Sequence, residues 1–192
     1  ITFDQAIKHY PPIRAAQTHA RSNMTRIFSF LLATLLAISS AEVVKEPRTG
    51  ITFSASNGKD ALNKLGVRTK GPIKVYAVGQ YGTSEPTFVL KMSYGVGAEK
   101  MANGLVDALK PRFPDGEALV EEFKNCLVNG LPDGAPGGTC MEFATAGGSL
   151  ALTVNGKKVG AIESKPLTEA FCGIYCDDKA VCKMQDPPAS TE

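Results

Sequence analysis

From Gly50 onward, apolar and polar positions along the chain settle into recognisable periods. Gly50 to Ser54 alternates, with Ile51 and Phe53 on one side, and reads as a first strand. Asn57-Gly58 is a turn signal, and Ala61, Leu62 and Leu65 suit a short helical turn that closes at Gly66. Two strands follow around Gly71-Pro72. Pro86 interrupts the chain, and Thr87 to Tyr94 is another strand with Phe88, Leu90 and Met92 on one face. The period then becomes helical. Ala98 to Lys110 brings Met101, Leu105, Ala108 and Leu109 to one face and stops at Pro111. Asp115 is the expected cap of a second helix, in which Leu119, Phe123, Cys126 and Leu127 fall at i, i+4, i+7 and i+8. Asn129-Gly130 ends it, and the Pro- and Gly-rich stretch from Leu131 to Gly138 is a loop. Ser149 to Val154 alternates strictly, and Asn155-Gly156 predicts a type I′ turn with Lys157 to Ile162 returning. Thr139 to Thr145 pairs on the other side through Ala146-Gly147-Gly148, which makes a three-stranded meander. Pro166 fits the first turn of a last helix. Strands in one sheet with helices gathered to one side define an α+β class.

Not all of the 192 residues belong to this pattern. Met24-Thr25-Arg26 followed by the 12 apolar-rich residues Ile27 to Ile38, and then Ser39-Ser40-Ala41, is a secretory signal pattern too short to span a bilayer comfortably. We therefore expect residues 24–41 to be a signal peptide and the mature chain to begin at Glu42. Residues 1–23 read as an upstream extension, the alternative being an organelle transit peptide. Residues 42–48 are expected to be a flexible lead-in, 49–183 the folded domain, and 184–192 a disordered polar tail. The expected location is the secretory pathway, with a plastid reached through that route as the alternative.

From Glu42 the chain holds 14 Lys and 3 Arg against 7 Asp and 11 Glu, a net of −1, so there is no basic footprint for nucleic acid. Both histidines, His9 and His19, lie upstream. Five cysteines remain: Cys126, Cys140, Cys172, Cys176 and Cys182. Their spacing matches no zinc motif, so neither a metal nor a cofactor is expected. Cys172 and Cys176 share a helix face in a geometry awkward for a bridge, whereas Cys176 with Cys182 is easier. Cys126 and Cys140 read as core positions.

One charge stands out. Arg68 sits at the foot of an alternating strand and Tyr76 lies on the next one, across Gly71-Pro72. Arginine stays protonated and presents a planar fork of donors that suits a carboxylate or a phenolate. Whether the two residues cooperate depends on register. A three-residue loop, Gly71-Pro72-Ile73, sets Arg68 opposite Tyr76, whereas a two-residue loop, Gly71-Pro72, turns them to opposite faces. The plain alternative is that Arg68 is an exposed strand-end charge.

These residues also lie in blocks with a familiar order. Gly66-Val67-Arg68 leads to Lys74-Val75-Tyr76-Ala77-Val78-Gly79-Gln80-Tyr81. Gly97-Ala98-Glu99-Lys100 opens a helix, and Gly148-Ser149-Leu150 opens a strand. Val159 to Ser164 leads into Leu167 to Tyr175. Over roughly Thr49 to Lys183 the chain resembles the chalcone isomerase family. The resemblance implies an open-faced β-sandwich, a large antiparallel sheet covered by a helical layer, with the ligand between sheet and helices. The family includes isomerases that close a chalcone to a flavanone, fatty-acid-binding members and ligand-free helper proteins.

In the isomerases an arginine holds the enone oxygen, and a threonine, a tyrosine, a lysine and an asparagine complete the polar patch. By resemblance the arginine is Arg68 and the lysine is Lys91. Tyr76 stands at the threonine's position. The second tyrosine falls near Gly97, with Tyr94 as its nearest substitute, and Asn103 lies one position from the asparagine. Ser164 matches the Ser/Thr before the last helix, where a helix cap is an equal reading. Arginine with tyrosine in place of the threonine is the pattern of the fatty-acid-binding members. The resemblance therefore implies a non-catalytic binder whose ligand residues are Arg68, Tyr76, Lys91, Tyr94, Asn103 and Ser164. The alternatives are an active isomerase, with Arg68, Tyr76 and Lys91 catalytic, and a ligand-free helper protein. A monomer is expected. Its expected ligand is a fatty acid or similar apolar carboxylate, with no nucleic acid and no stable membrane insertion.

Overall fold

The computed structural model of the protein describes residues 42–189, so the readings made for residues 1–23 and 24–41 lie outside the described residues. Strand structure begins earlier than the sequence pattern implied. Val43–Lys45 (β1) pairs antiparallel with Thr52–Ser54 (β2), setting Val44 opposite Phe53, and both side chains are buried. The expected flexible lead-in is therefore a strand, because Val44 has an apolar surface to cover. The turn between the two strands is organised by Glu46. Its buried carboxylate accepts from Thr49 N and Thr49 Oγ1, each at 2.6 Å, and from Arg48 N at 3.1 Å. These bonds satisfy a group that would otherwise be costly to enclose.

The main sheet has seven antiparallel strands in sequence order. They are Ser56–Asn57 (β3), Asp60–Lys70 (β4), Ile73–Tyr81 (β5), Thr87–Met92 (β6), Cys140–Ala144 (β7), Ser149–Val154 (β8) and Lys157–Glu163 (β9). Ala61, Leu62 and Leu65, expected in a helical turn, belong to β4. A register irregularity between Leu62 and Lys64 explains the misreading. The bulge lets Leu62 and Leu65 face the same side although they are three apart, which imitates a helical period. The β8–β9 turn is as the sequence predicts, with Asn155 and Gly156 at φ 48° and 78°.

Three helices cover one face of the sheet: Ala98–Leu109 (α1), Glu117–Gly130 (α2) and Lys165–Cys176 (α3). The N-cap of α2 is Gly116, with no side-chain cap bond, rather than Asp115. The Phe113 ring occupies the place where a side chain at 116 would begin, within 1.8 Å of an added Cβ, so any larger residue there would have to displace the ring. Beneath the helices, β5 to β9 supply the main core through Tyr76, Val78, Phe88, Leu90, Met92 and their neighbours. Helix α3 closes this core because Phe171 and Tyr175 are four apart. The Phe171 ring lies 4.7 Å from that of Phe143, and the Tyr175 ring lies 5.0 Å from that of Phe88. The other face of the sheet is covered by the β1–β2 ribbon. Phe53 packs over Gly79, where an added Cβ would come within 2.9 Å of its ring.

The segment after α3 is also ordered. Leu65 and Gln185 exchange two backbone hydrogen bonds of 2.8 Å, and Lys64 Nζ reaches Asp186 Oδ1 at 2.6 Å. The expectation of a disordered tail from residue 184 is thus corrected through Asp186, which runs along the otherwise unpaired edge of β4. All five cysteines are free thiols, so the Cys176–Cys182 bridge is not formed. Cys126 and Cys140 are partly rather than fully buried. Among the described residues no helix is long and apolar enough to cross a membrane.

Candidate functional site

The site begins with the register of β4 against β5. Lys70 pairs with Ile73, so the connecting turn is the two residues Gly71-Pro72. Continued regularly, that turn would set Arg68 opposite Val75. Instead Thr69 pairs with Lys74 while Arg68 pairs with Tyr76, and Val75 is the extra residue of a β-bulge. The displaced Val75 carbonyl accepts from Ser93 N at 2.9 Å and Tyr94 N at 3.1 Å. The short turn and the shared face are therefore both realised, because the bulge decouples the loop length from the facing of Tyr76.

Arg68 and Tyr76 line a cleft of about 650 Å³ between β4–β5, α1 and the segment after α3. Its apolar wall includes Val75, Val96, Met101, Leu105 and Ala108. Arg68 is half-buried and donates from Nη1 to the Val181 carbonyl at 2.6 Å. Among the described residues it pairs with no carboxylate. Tyr76 is buried, and its hydroxyl lies 3.2 Å from that of Tyr175. Burial pushes both phenols well above the usual tyrosine range. The mutual hydrogen bond and the Arg68 charge only partly offset that rise for Tyr76. Both are therefore neutral hydroxyls, able to donate. The Cys182 thiol is pushed up to about 11 by burial, against the pull of Arg68, and stays protonated.

The far wall of the cleft is the strap Asp177–Asp186, and a second arginine fixes its start. Arg112, in the 3₁₀ turn after α1, donates from Nε and Nη2 to the two carboxylate oxygens of Asp177, each at 2.8 Å. It also donates to the Lys179 carbonyl at 2.8 Å and to the Ala108 carbonyl at 2.6 Å. That planar fork holds the Asp177 carboxyl below its ordinary range, chiefly through its hydrogen bonds. Arg112 is thus committed to structure, which leaves Arg68 as the guanidinium in the cleft wall without a carboxylate.

The other positions singled out by resemblance go elsewhere. Lys91 projects from the opposite face of the sheet, donates to the Thr52 carbonyl at 2.7 Å and sits 5.0 Å over the Phe53 ring. Ser164 caps α3, accepting from Leu167 N at 3.3 Å. Asn103 and Tyr94 are exposed and not part of the cleft lining, although Gly104 and Val96 beside them are. Tyr175 was not singled out as a site residue. Its spacing from Phe171 places it on the core face of the last helix, where a buried tyrosine hydroxyl requires a partner. Among the described residues no three His, Cys, Asp or Glu side chains converge as a metal site would need.

No protein-family model and no curated protein matches the chain. Among solved structures, the crystal structure of a fatty-acid binding protein from Arabidopsis thaliana matches with a TM-score of 0.65. The two are 21% identical over 73% of this chain and 92% of that one. At this identity the likeness concerns the fold. Among the described residues the fold is α+β, an open-faced sandwich of chalcone isomerase type with a large antiparallel sheet and three helices.

Proposed function

We propose that the protein is a chalcone isomerase-like binder of fatty acids or similar long apolar carboxylates, acting without catalysis. The observation that carries this reading is Arg68, a half-buried guanidinium on the cleft wall with no carboxylate partner among the described residues. A ligand carboxylate there gains charge-assisted hydrogen bonds of about 1.5–3 kcal/mol each. The neutral Tyr76 hydroxyl adds a donor. Tyr175 lies behind Tyr76 and outside the cleft lining; either hydroxyl of the pair can donate, and with Tyr175 as donor the Tyr76 proton is free for the ligand. The acyl chain then runs along Val75, Val96, Met101, Leu105 and Ala108, each buried CH₂ contributing about 0.8 kcal/mol. The ligand of the Arabidopsis protein that shares this fold is consistent with this reading.

The decisive experiment is mass spectrometry of lipid extracted from the purified 42–192 chain, followed by titration with a long-chain fatty acid and its methyl ester. The acid is expected to bind and the ester to bind weakly. Equal binding of the two would remove Arg68 from the site.

A further inference from the structure

Among the described residues two large hydrophobic side chains are exposed: Ile73 at 41% and Tyr94 at 54%. Surface hydrophobes scattered singly carry no message, but these two adjoin one end of the cleft. Ile73 pairs with Lys70 across the hairpin turn, so it shares a face with Lys70, which lines the cleft. Tyr94 is tied through its backbone N–H to the carbonyl of Val75, another lining residue. Pro72 at the turn is exposed as well. The hairpin tip and the 93–96 segment thus form an apolar rim beside the opening.

We propose that this rim is a docking surface for anionic lipid bilayers, where the cleft meets the membrane directly. Charge decides for a membrane. The cleft lining holds Arg68, Lys70, Lys100, Arg112 and Lys179 against Asp107, Asp177 and Asp178. Asp177 is neutralised by Arg112. The chain from Glu42 has a net charge of −1, so the positive excess is local to the cleft lining. Lys70, Lys100 and Lys179 are all exposed, and long lysine stems let ammonium groups reach lipid phosphates while a neighbouring apolar tip enters the acyl boundary. An aliphatic tip beside a tyrosine suits the headgroup interface, where the ring is buried and the hydroxyl stays wet. A stable protein interface needs on the order of 800 Å² from each partner, which two side chains on a hairpin tip do not supply. The docking takes its purpose from the lipid-binding reading, but its evidence is the rim itself.

The chain contains no tryptophan, so a single introduced one reports its own surroundings. Ile73→Trp and Tyr94→Trp would be compared with Lys157→Trp, an exposed position at the start of β9 that is outside the rim and the cleft lining. Each is mixed with phosphatidylcholine vesicles prepared with or without phosphatidylglycerol. Only the two rim reporters should shift to the blue and lose iodide quenching, only with phosphatidylglycerol, and the effect should fade as salt is raised. In sedimentation, Ile73→Ser/Tyr94→Ser should lose vesicle binding several-fold while its melting curve stays native. Absence of a shift, an equal shift at Lys157→Trp, or native sedimentation of the double variant overturns the proposal. Oleate affinity of Ile73→Ser without vesicles is read separately and should be unchanged. Vesicle docking without oleate binding would refute the ligand reading and leave the docking intact, whereas oleate binding without docking would do the reverse.

Discussion

Tyr76 stands opposite Arg68 on the cleft side because one residue, Val75, is looped out of the β4–β5 ladder. Arg68→Ala should weaken fatty-acid binding by about 2 kcal/mol, the low end for truncating one member of a charge pair, because the guanidinium is half-exposed. It should barely affect the methyl ester, and calorimetric titration of both ligands checks this. Tyr76→Phe should cost the acid only about 1 kcal/mol of affinity, but it also strands the buried Tyr175 hydroxyl, so stability falls by a further 1–3 kcal/mol or so. Tyr76→Phe/Tyr175→Phe should recover part of that loss in thermal melts, since removing both polar partners is cheaper than removing one. If the double variant melts below the single one, the two hydroxyls do not act as a pair. Arg68 and Tyr76 were legible in the sequence as residue types. Lys91 was misplaced although the alternation of Phe88, Leu90 and Met92 already turned it to the other face. A motif carried over by resemblance preserves order along the chain but does not by itself track which side of a strand a residue takes.

Among the elements, the strap is anchored at its start by Arg112, while Val181, Cys182 and Met184 pack against the core. The folded protein binds the Asp177 proton less readily than the unfolded chain does, because Arg112 stabilises the carboxylate. That contribution is complete above the unfolded aspartate value of about 3.9, and it is lost as pH falls through the depressed folded value. Asp177→Asn should therefore melt below the native protein near neutrality. The gap should close on acidification below the ordinary aspartate range and show no trend above it. A gap that persists in strong acid would mean that the introduced amide disturbs the packing rather than merely lacking the charge. Elements with strict periods, such as the β8–β9 hairpin and the three helices, were readable from the pattern. The strand β4 was not, because its bulge near Leu62 produces helical spacing in a strand. The ordering of the strap through Asp186 depends on an edge of β4 that lies more than a hundred residues away, beyond the reach of any local window.

At the scale of the whole molecule, the sheet separates two tasks. Its helix-side face carries the cleft, and its other face is sealed by the β1–β2 ribbon through Phe53, with Lys91 laid over the ring. Phe53 is fully buried, so Phe53→Ala should remove about 3–4 kcal/mol of stability by leaving a cavity over Gly79. That is a large part of the 5–15 kcal/mol or so that holds a typical domain, so the milder Phe53→Leu is the variant on which to measure binding. Lys91→Ala removes a cation–π contact of about 0.5–1 kcal/mol together with a hydrogen bond to Thr52. Both variants should lower the melting temperature, and both should bind fatty acid as the native protein does, because the sheet lies between them and Arg68. Denaturant melts paired with calorimetric titration make the comparison. If Lys91→Ala stays folded yet loses affinity for the acid but not the ester, the carboxylate is held on the ribbon side of the sheet. The cleft beside Arg68 would then not be the binding site.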